Sequence, residues 1–133
     1  MTISGIDHIN IVTEKVDETA EFYRQLLGLS RDAIPVPGVS GAWMRDESGA
    51  AIIHINLYDP ARHGNVNPGV ATGGSTGPLD HVALRASDYD GMLARVKAMG
   101  LEHRASDFSD IRLRQIFLED PNHIRLEFNF YAG

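Results

Sequence analysis

Ile6-Asp7-His8-Ile9-Asn10-Ile11, near the start of the chain, and Leu79-Asp80-His81-Val82-Ala83-Leu84, past its middle, carry one pattern: an Asp-His pair set in an apolar alternation, 73 positions apart (8 to 81). Both stretches read as short strands, and the likeness extends beyond them. Each is followed by an amphipathic segment. Val16, Ala20, Tyr23 and Leu27 fall on one helical face, as do Tyr89, Met92, Leu93, Val96 and Met99. Each segment runs into glycine and then leucine, Gly28-Leu29 and Gly100-Leu101, where a helix end favours a residue in the left-handed region. Ser87, three residues before Asp90, is the expected N-cap of the second helix. Each half then closes on two strands around a turn, residues 42–45 and 51–58 in the first and 114–118 and 124–131 in the second. A further, weakly marked strand is expected in each half, near residues 31–34 and 103–106. The expected fold is therefore α+β. Two tandem βαβββ modules, about residues 5–59 and 78–131, form a curved mixed sheet with a concave cleft and helices on the convex face. Residues 60–77, with five glycines and two prolines, read as a connector within a single domain spanning 1–133.

Composition narrows the functions open to such a fold. With 133 residues, 43% hydrophobic and 23% charged, the chain is long enough to bury one core, and disordered or collagen-like classes are excluded. Eighteen acidic residues against twelve Lys and Arg give a formal net charge of −6, with no basic run to neutralise a phosphate backbone, so nucleic acid is not an expected partner. No apolar stretch approaches the roughly 20 residues that cross a bilayer. The first residues lack the basic start and apolar run of a signal peptide, so a cytoplasmic protein without a membrane partner is expected. There is no cysteine. Thiolate metal sites and thiol nucleophiles are excluded, and any metal must be held by His, Asp, Glu or Asn.

Strand alternation assigns each side chain to a face. Ile9, Ile11, Ile53, Ile55, Leu57, Val82, Leu84, Leu126, Phe128 and Phe130 share one parity, which the helices must cover. The other carries His8, Asn10, His54, Asn56, Tyr58, His81, Arg85, Arg125, Glu127 and Asn129. At the repeat separation His54 falls on Glu127, as His8 falls on His81, so four strands at equivalent places bring His8, His54, His81 and Glu127 to the polar face. Three imidazoles and a carboxylate suit one divalent ion of the Zn, Ni, Fe, Mn or Co kind and leave a net positive site that polarises a bound carbonyl. Taken singly, each of the four reads more simply as a hydrogen-bonded polar side chain. The shared separation and parity reverse that balance.

These segments resemble the vicinal oxygen chelate superfamily, which includes glyoxalase I, methylmalonyl-CoA epimerase, extradiol dioxygenases, and fosfomycin- and bleomycin-resistance proteins. The likeness lies in residues 7–12, in the helix end Phe22-Tyr23-Arg24-Gln25-Leu26-Leu27-Gly28-Leu29, in residues 79–84, and most specifically in the Asp120-Pro121-Asn122-His123 hairpin that leads to Glu127. Carried over, the family's metal positions fall on His8, His54, His81 and Glu127. Glyoxalase I usually has Glu, and the epimerases often Gln, where this chain has His54. The dioxygenase and fosfomycin branches use His, His and Glu, so the resemblance implies His8, His81 and Glu127 as ligands and His54 as a fourth ligand or a substrate contact. His123 stands where the family commonly has Gly, which places a non-glycine at positive φ.

The resemblance implies a metalloenzyme that chelates two vicinal oxygens of a small substrate and performs Lewis-acid lyase or isomerase chemistry, with Glu127 or a metal-bound hydroxide as base. The alternatives are an extradiol-type Fe(II) dioxygenase, which a fourth ligand at His54 would crowd, and a metal-free binding protein of the bleomycin-resistance kind. A purely structural role, with the histidines satisfying one another, is a third. Arg85 and Arg125 are expected as clamps for an anionic substrate or as rim salt bridges, and Asn10, Asn56, Tyr58 and Asn129 as cavity lining or mutual hydrogen-bond partners. A lone Trp43 is expected in the core, with stacking on a planar substrate as the alternative. Asp7 and Asp80, adjacent to the histidines, are expected to point away from them on strand alternation. Free sheet edges and an apolar rim predict a homodimer.

Overall fold

The computed structural model describes residues 1–63 and 76–132. The chain divides into two compact units, Met1–Thr72 and Gly73–Gly133. In the first, β1 (Ile9–Thr13), α1 (Val16–Leu27), β2 (Ser30–Asp32), β3 (Gly41–Arg45) and β4 (Ala51–Leu57) are followed by one helical turn, α2 (Pro60–His63). In the second, β5 (Val82–Arg85), α3 (Tyr89–Ala98), β6 (Arg104–Phe108), a 3-10 turn, β7 (Leu113–Glu119) and β8 (Arg125–Tyr131) repeat the order. Each unit holds one four-stranded mixed sheet, β1-β4-β3-β2 and β5-β8-β7-β6, in which the first strand runs parallel to the last and the rest are antiparallel. The two βαβββ modules expected from the repeat are present, and the two weakly marked strands form as β2 and β6, displaced by a residue or two. Within the stretch read as connector, α2 is an added element, started by the Asp59 carboxylate accepting from the Ala61 N–H at 2.9 Å. The rest of that stretch lies outside the described residues up to Thr76.

Alternation sorts the faces as the sequence indicates. In the first unit α1 buries Thr19, Ala20, Phe22, Tyr23 and Leu26 against β3 and β4, whose Ala42, Met44, Ile53 and Ile55 are themselves buried. Gly28 ends α1 in the left-handed region at φ 69°, its N–H donating to the Arg24 carbonyl. In the second unit Ile116, Leu126 and Phe128 are buried, and α3 contributes Val96 to the core and sets Tyr89 edge-on to Phe130. The cap of α3 differs from expectation. Asp88, not Ser87, is the N-cap, at φ 62°, with its carboxylate accepting from the Gly91 N–H at 3.0 Å. Glycine at 91 permits this, since a Cβ there would sit 2.1 Å from the Asp88 carboxylate.

Both final hairpins turn on an aspartate. Asp46 accepts from the Ser48 and Ala50 N–H groups, and the buried Asp120 from those of Asn122 and Ile124. His123 takes φ 62°, the positive value expected of it. This tight turn fixes the register that sets Glu127 of β8 opposite Phe117 of β7.

Candidate metal centre

Each unit presents one pair of the expected site residues on the sheet face turned away from its core. In the second unit His81 stands just before β5 and Glu127 lies on β8, the strand to which β5 is paired. His81 Nδ1 is 2.7 Å from an Asp80 carboxylate oxygen. A carboxylate only accepts, so Nδ1 carries a proton, and in the neutral imidazole Nε2 then presents a lone pair. That lone pair faces Glu127 Oε1 at 3.9 Å. The other Glu127 oxygen accepts from Asn129 Nδ2 at 3.0 Å, and Asn129 is held in turn by Gln115 Nε2 at 2.9 Å. In that tautomer both atoms are acceptors. Their separation is too long for a shared proton. Two atoms bonded to one ion at about 2.1 Å and a tetrahedral angle lie about 3.4 Å apart, so a side-chain shift of about half an ångström brings this pair to ligand spacing.

Asp80 also accepts from Arg125 Nη1 at 3.0 and 3.2 Å. The His81 hydrogen bond first, and Arg125 second, hold its carboxyl below the usual carboxylate range. Asp80 and Asp7 do not point away from their histidines: Asp7 approaches His8 Nδ1 at 2.6 Å, the same contact in the other unit. His8 and His81 precede their strands, where alternation no longer dictates direction.

In the first unit His8 and His54 stack face to face, ring centres 3.7 Å apart and planes within 9°. Trp43, opposite His54 across β3 and β4, stacks on its other side at 4.4 Å. Arg45 lies 5.5 Å above the Trp43 ring. The indole is thus half-buried on the polar face and not in the core. Its place is set by parity: Ala42 and Met44, its neighbours on β3, take the core side. Lone pairs of parallel rings lie in parallel planes and do not meet, so His8 and His54 share an ion only if one ring turns. Asn10 and Asn56 hydrogen-bond each other, and Arg85 lies over the Tyr131 ring at 4.4 Å. Among the described residues no three His, Asp or Glu side chains gather about a common ion position.

Burial first, and the His8 imidazole second, push the His54 pKa below the ordinary histidine value. A depressed folded-state value means that the fold takes up this proton less readily than the unfolded chain. The stability contributed by the packing is then present above about pH 6.5 and lost as pH falls through and below that range. Imidazole resonances of His54 are expected to titrate at lower pH than those of the free side chain, and Trp43→Ala to raise the midpoint. An unchanged midpoint in that variant would show that the indole is not the source of the burial.

Residues 7–112 match the Glyoxalase/Bleomycin resistance protein/Dioxygenase superfamily, and the chain belongs to it. Among solved structures, a glyoxylase/bleomycin resistance protein/dioxygenase domain from Frankia sp. superposes with a TM-score of 0.74 at 17% identity, covering 99% of this chain and 95% of that one. The fosfomycin resistance protein FosX from Listeria monocytogenes, a mutant complexed with Mn(II) and a dihydroxypropylphosphonic acid, gives 0.70 at 16%, covering 98% and 95%. Lactoylglutathione lyase from Agrobacterium tumefaciens gives 0.63 at 16%, covering 98% and 96%. At these identities the likeness is one of fold. No curated protein matches the sequence. No helix among the described residues is long and apolar enough to cross a membrane.

Proposed function

We propose that the chain is a metal-dependent enzyme acting on a small substrate with two adjacent oxygens, by lyase or isomerase chemistry. The observation that carries this reading is the pair of acceptors, His81 Nε2 and Glu127 Oε1, facing each other across 3.9 Å. His8 is the proposed third ligand, on the strength of the repeat: it holds the place of His81 and has the same aspartate on Nδ1. His54, stacked between Trp43 and His8, is the fourth ligand or a substrate contact. The ion is one of the divalent Zn, Ni, Fe, Mn or Co set that imidazole and carboxylate accept.

When bound, such an ion supplies Lewis acidity to the two substrate oxygens. The chain supplies position and a base. Asp80 fixes the His81 tautomer, and Asn129, braced by Gln115, holds one Glu127 oxygen so that the other faces the imidazole. Glu127, with 14% of its side chain exposed, is the proposed base for a proton on carbon next to a carbonyl. The test is to incubate metal-loaded protein in deuterium oxide with thiol adducts of 2-oxoaldehydes and with 2-substituted acyl thioesters. Deuterium uptake without oxygen consumption is expected. Oxygen uptake with catechols that depends on Fe(II), without exchange, would replace this reading by a dioxygenase.

A second copy of the chain is the proposed protein partner. Ile6 and Leu79, at equivalent places in the two units, are 91% and 60% exposed and give a partner apolar side chains to cover. Sedimentation is expected to give a dimer at micromolar concentration. A species of 14.6 kDa, the mass of one chain, would refute it.

A further inference from the structure

Beside the His81–Glu127 pair the second sheet carries a cavity of about 340 Å³, lined by Arg104, Phe117, Leu118, Glu119 and Arg125. That volume lies in the range of small-ligand sites. Cross-strand register places it. Glu127 of β8 is directly opposite Phe117 of β7, and Phe117 is opposite Arg104 of β6, so the three form one row across the sheet on one face. Arg125, two residues before Glu127, shares that face.

The chemistry of the lining is that of an oxyanion receptor. The Arg104 guanidinium lies over the Phe117 ring, 4.6 Å from its centre, and has no acidic partner among the described residues. A guanidinium held over an aromatic ring keeps N–H donors for other partners. Arg125 gives Nη1 to Asp80 and keeps its other donors. Glu119 is the one acid in the lining, and it is drawn to His123 at the hairpin, 3.2 Å away. In a chain of net charge −6, a cation without an acidic partner among the described residues, as Arg104 is, supplies the attraction an anionic group needs.

We propose that this cavity is the subsite for an oxyanion group, a carboxylate or phosphoryl, carried by the substrate, with Arg104 and Arg125 as donors and Phe117 as the apolar floor. This deepens the functional reading above and rests on it for the placement of the chelated oxygens one residue along the row, at Glu127. The enzyme then selects anionic substrates over neutral ones, and Arg104 is the residue that determines the selection.

The test is an amide NMR titration of the protein with inorganic phosphate and with benzoate, each with diamagnetic Zn(II) and with chelator. Saturable shifts at residues 104, 117 and 125 are expected in both states, with Arg104→Gln weakening binding by about tenfold or more and Arg104→Lys restoring part of it. The amide spectrum of each variant reports its folding directly. Tighter binding of phosphate identifies a phosphoryl group, and tighter binding of benzoate a carboxylate. Shifts that do not saturate, or an Arg104→Gln titration equal to wild type, would overturn the subsite. Anion binding that needs Zn(II), disappears in Glu127→Ala and ignores Arg104→Gln would also overturn it while leaving the metal reading intact. Binding that survives chelator and is lost with Arg104 supports the subsite even if the metal reading fails.

Discussion

Glu127→Ala is expected to abolish stoichiometric binding of a divalent ion. The substitution removes the only carboxylate of the proposed ligand set and leaves His81 Nε2 facing a void. Asn129, which donates to Glu127 at 3.0 Å, loses its partner but stays anchored by Gln115, so the sheet persists and the loss is specific to the ion. Asp80→Asn is the graded companion. It keeps the shape but offers Nδ1 a weaker partner, and loss of a carboxylate behind a ligating imidazole typically costs about 10- to 100-fold in affinity. Calorimetric titration with Mn(II) or Zn(II) measures both. Unchanged affinity in Glu127→Ala would remove that residue from the ligand set.

Phe128→Ala should be among the most destabilising single substitutions in the second unit. Phe128 is 1% exposed at the centre of β8, with Leu84 of β5 and Ile116 of β7 as its register partners. Truncation leaves a cavity that flanking strands, pinned by their hydrogen bonds, cannot close, at a cost of about 3–5 kcal/mol. Against a typical total stability of about 5–15 kcal/mol, this removes a large share. Denaturant unfolding checks it. A loss below about 1 kcal/mol would mean that the site relaxes and that the core is not close-packed there.

The repeat carried most of the fold in plain view. Period-2 alternation in β4 and β8 separated Ile53 and Phe128 from His54 and Glu127 because strands bounded by tight turns keep their parity along their length. The same rule misled at Asp7 and Asp80. One residue outside the strand the backbone is no longer pleated, and a short carboxylate turns back to its neighbour's imidazole. Trp43 was misjudged for a different reason. Indole hydrophobicity argued for the core, whereas parity on β3 set it against His54, and the cross-strand partner that decided the matter is visible only once β3 and β4 are in register. Arg104 escaped notice altogether, since β6 is a short edge strand with weak patterning, and its closeness to Glu127 depends on two successive registers. At the α3 cap, Ser87 and Asp88 were both eligible, and the space over Gly91 favoured the second.

Elemental analysis of the wild-type protein, purified without chelator and again after reconstitution, addresses the metal assignment most directly. One divalent first-row ion per chain is expected, lost in Glu127→Ala and in His81→Ala. Protein that holds no ion as purified, and takes up none when Mn(II), Zn(II) or Ni(II) is supplied, would contradict the assignment of His81 and Glu127 as ligands and with it the proposed chemistry.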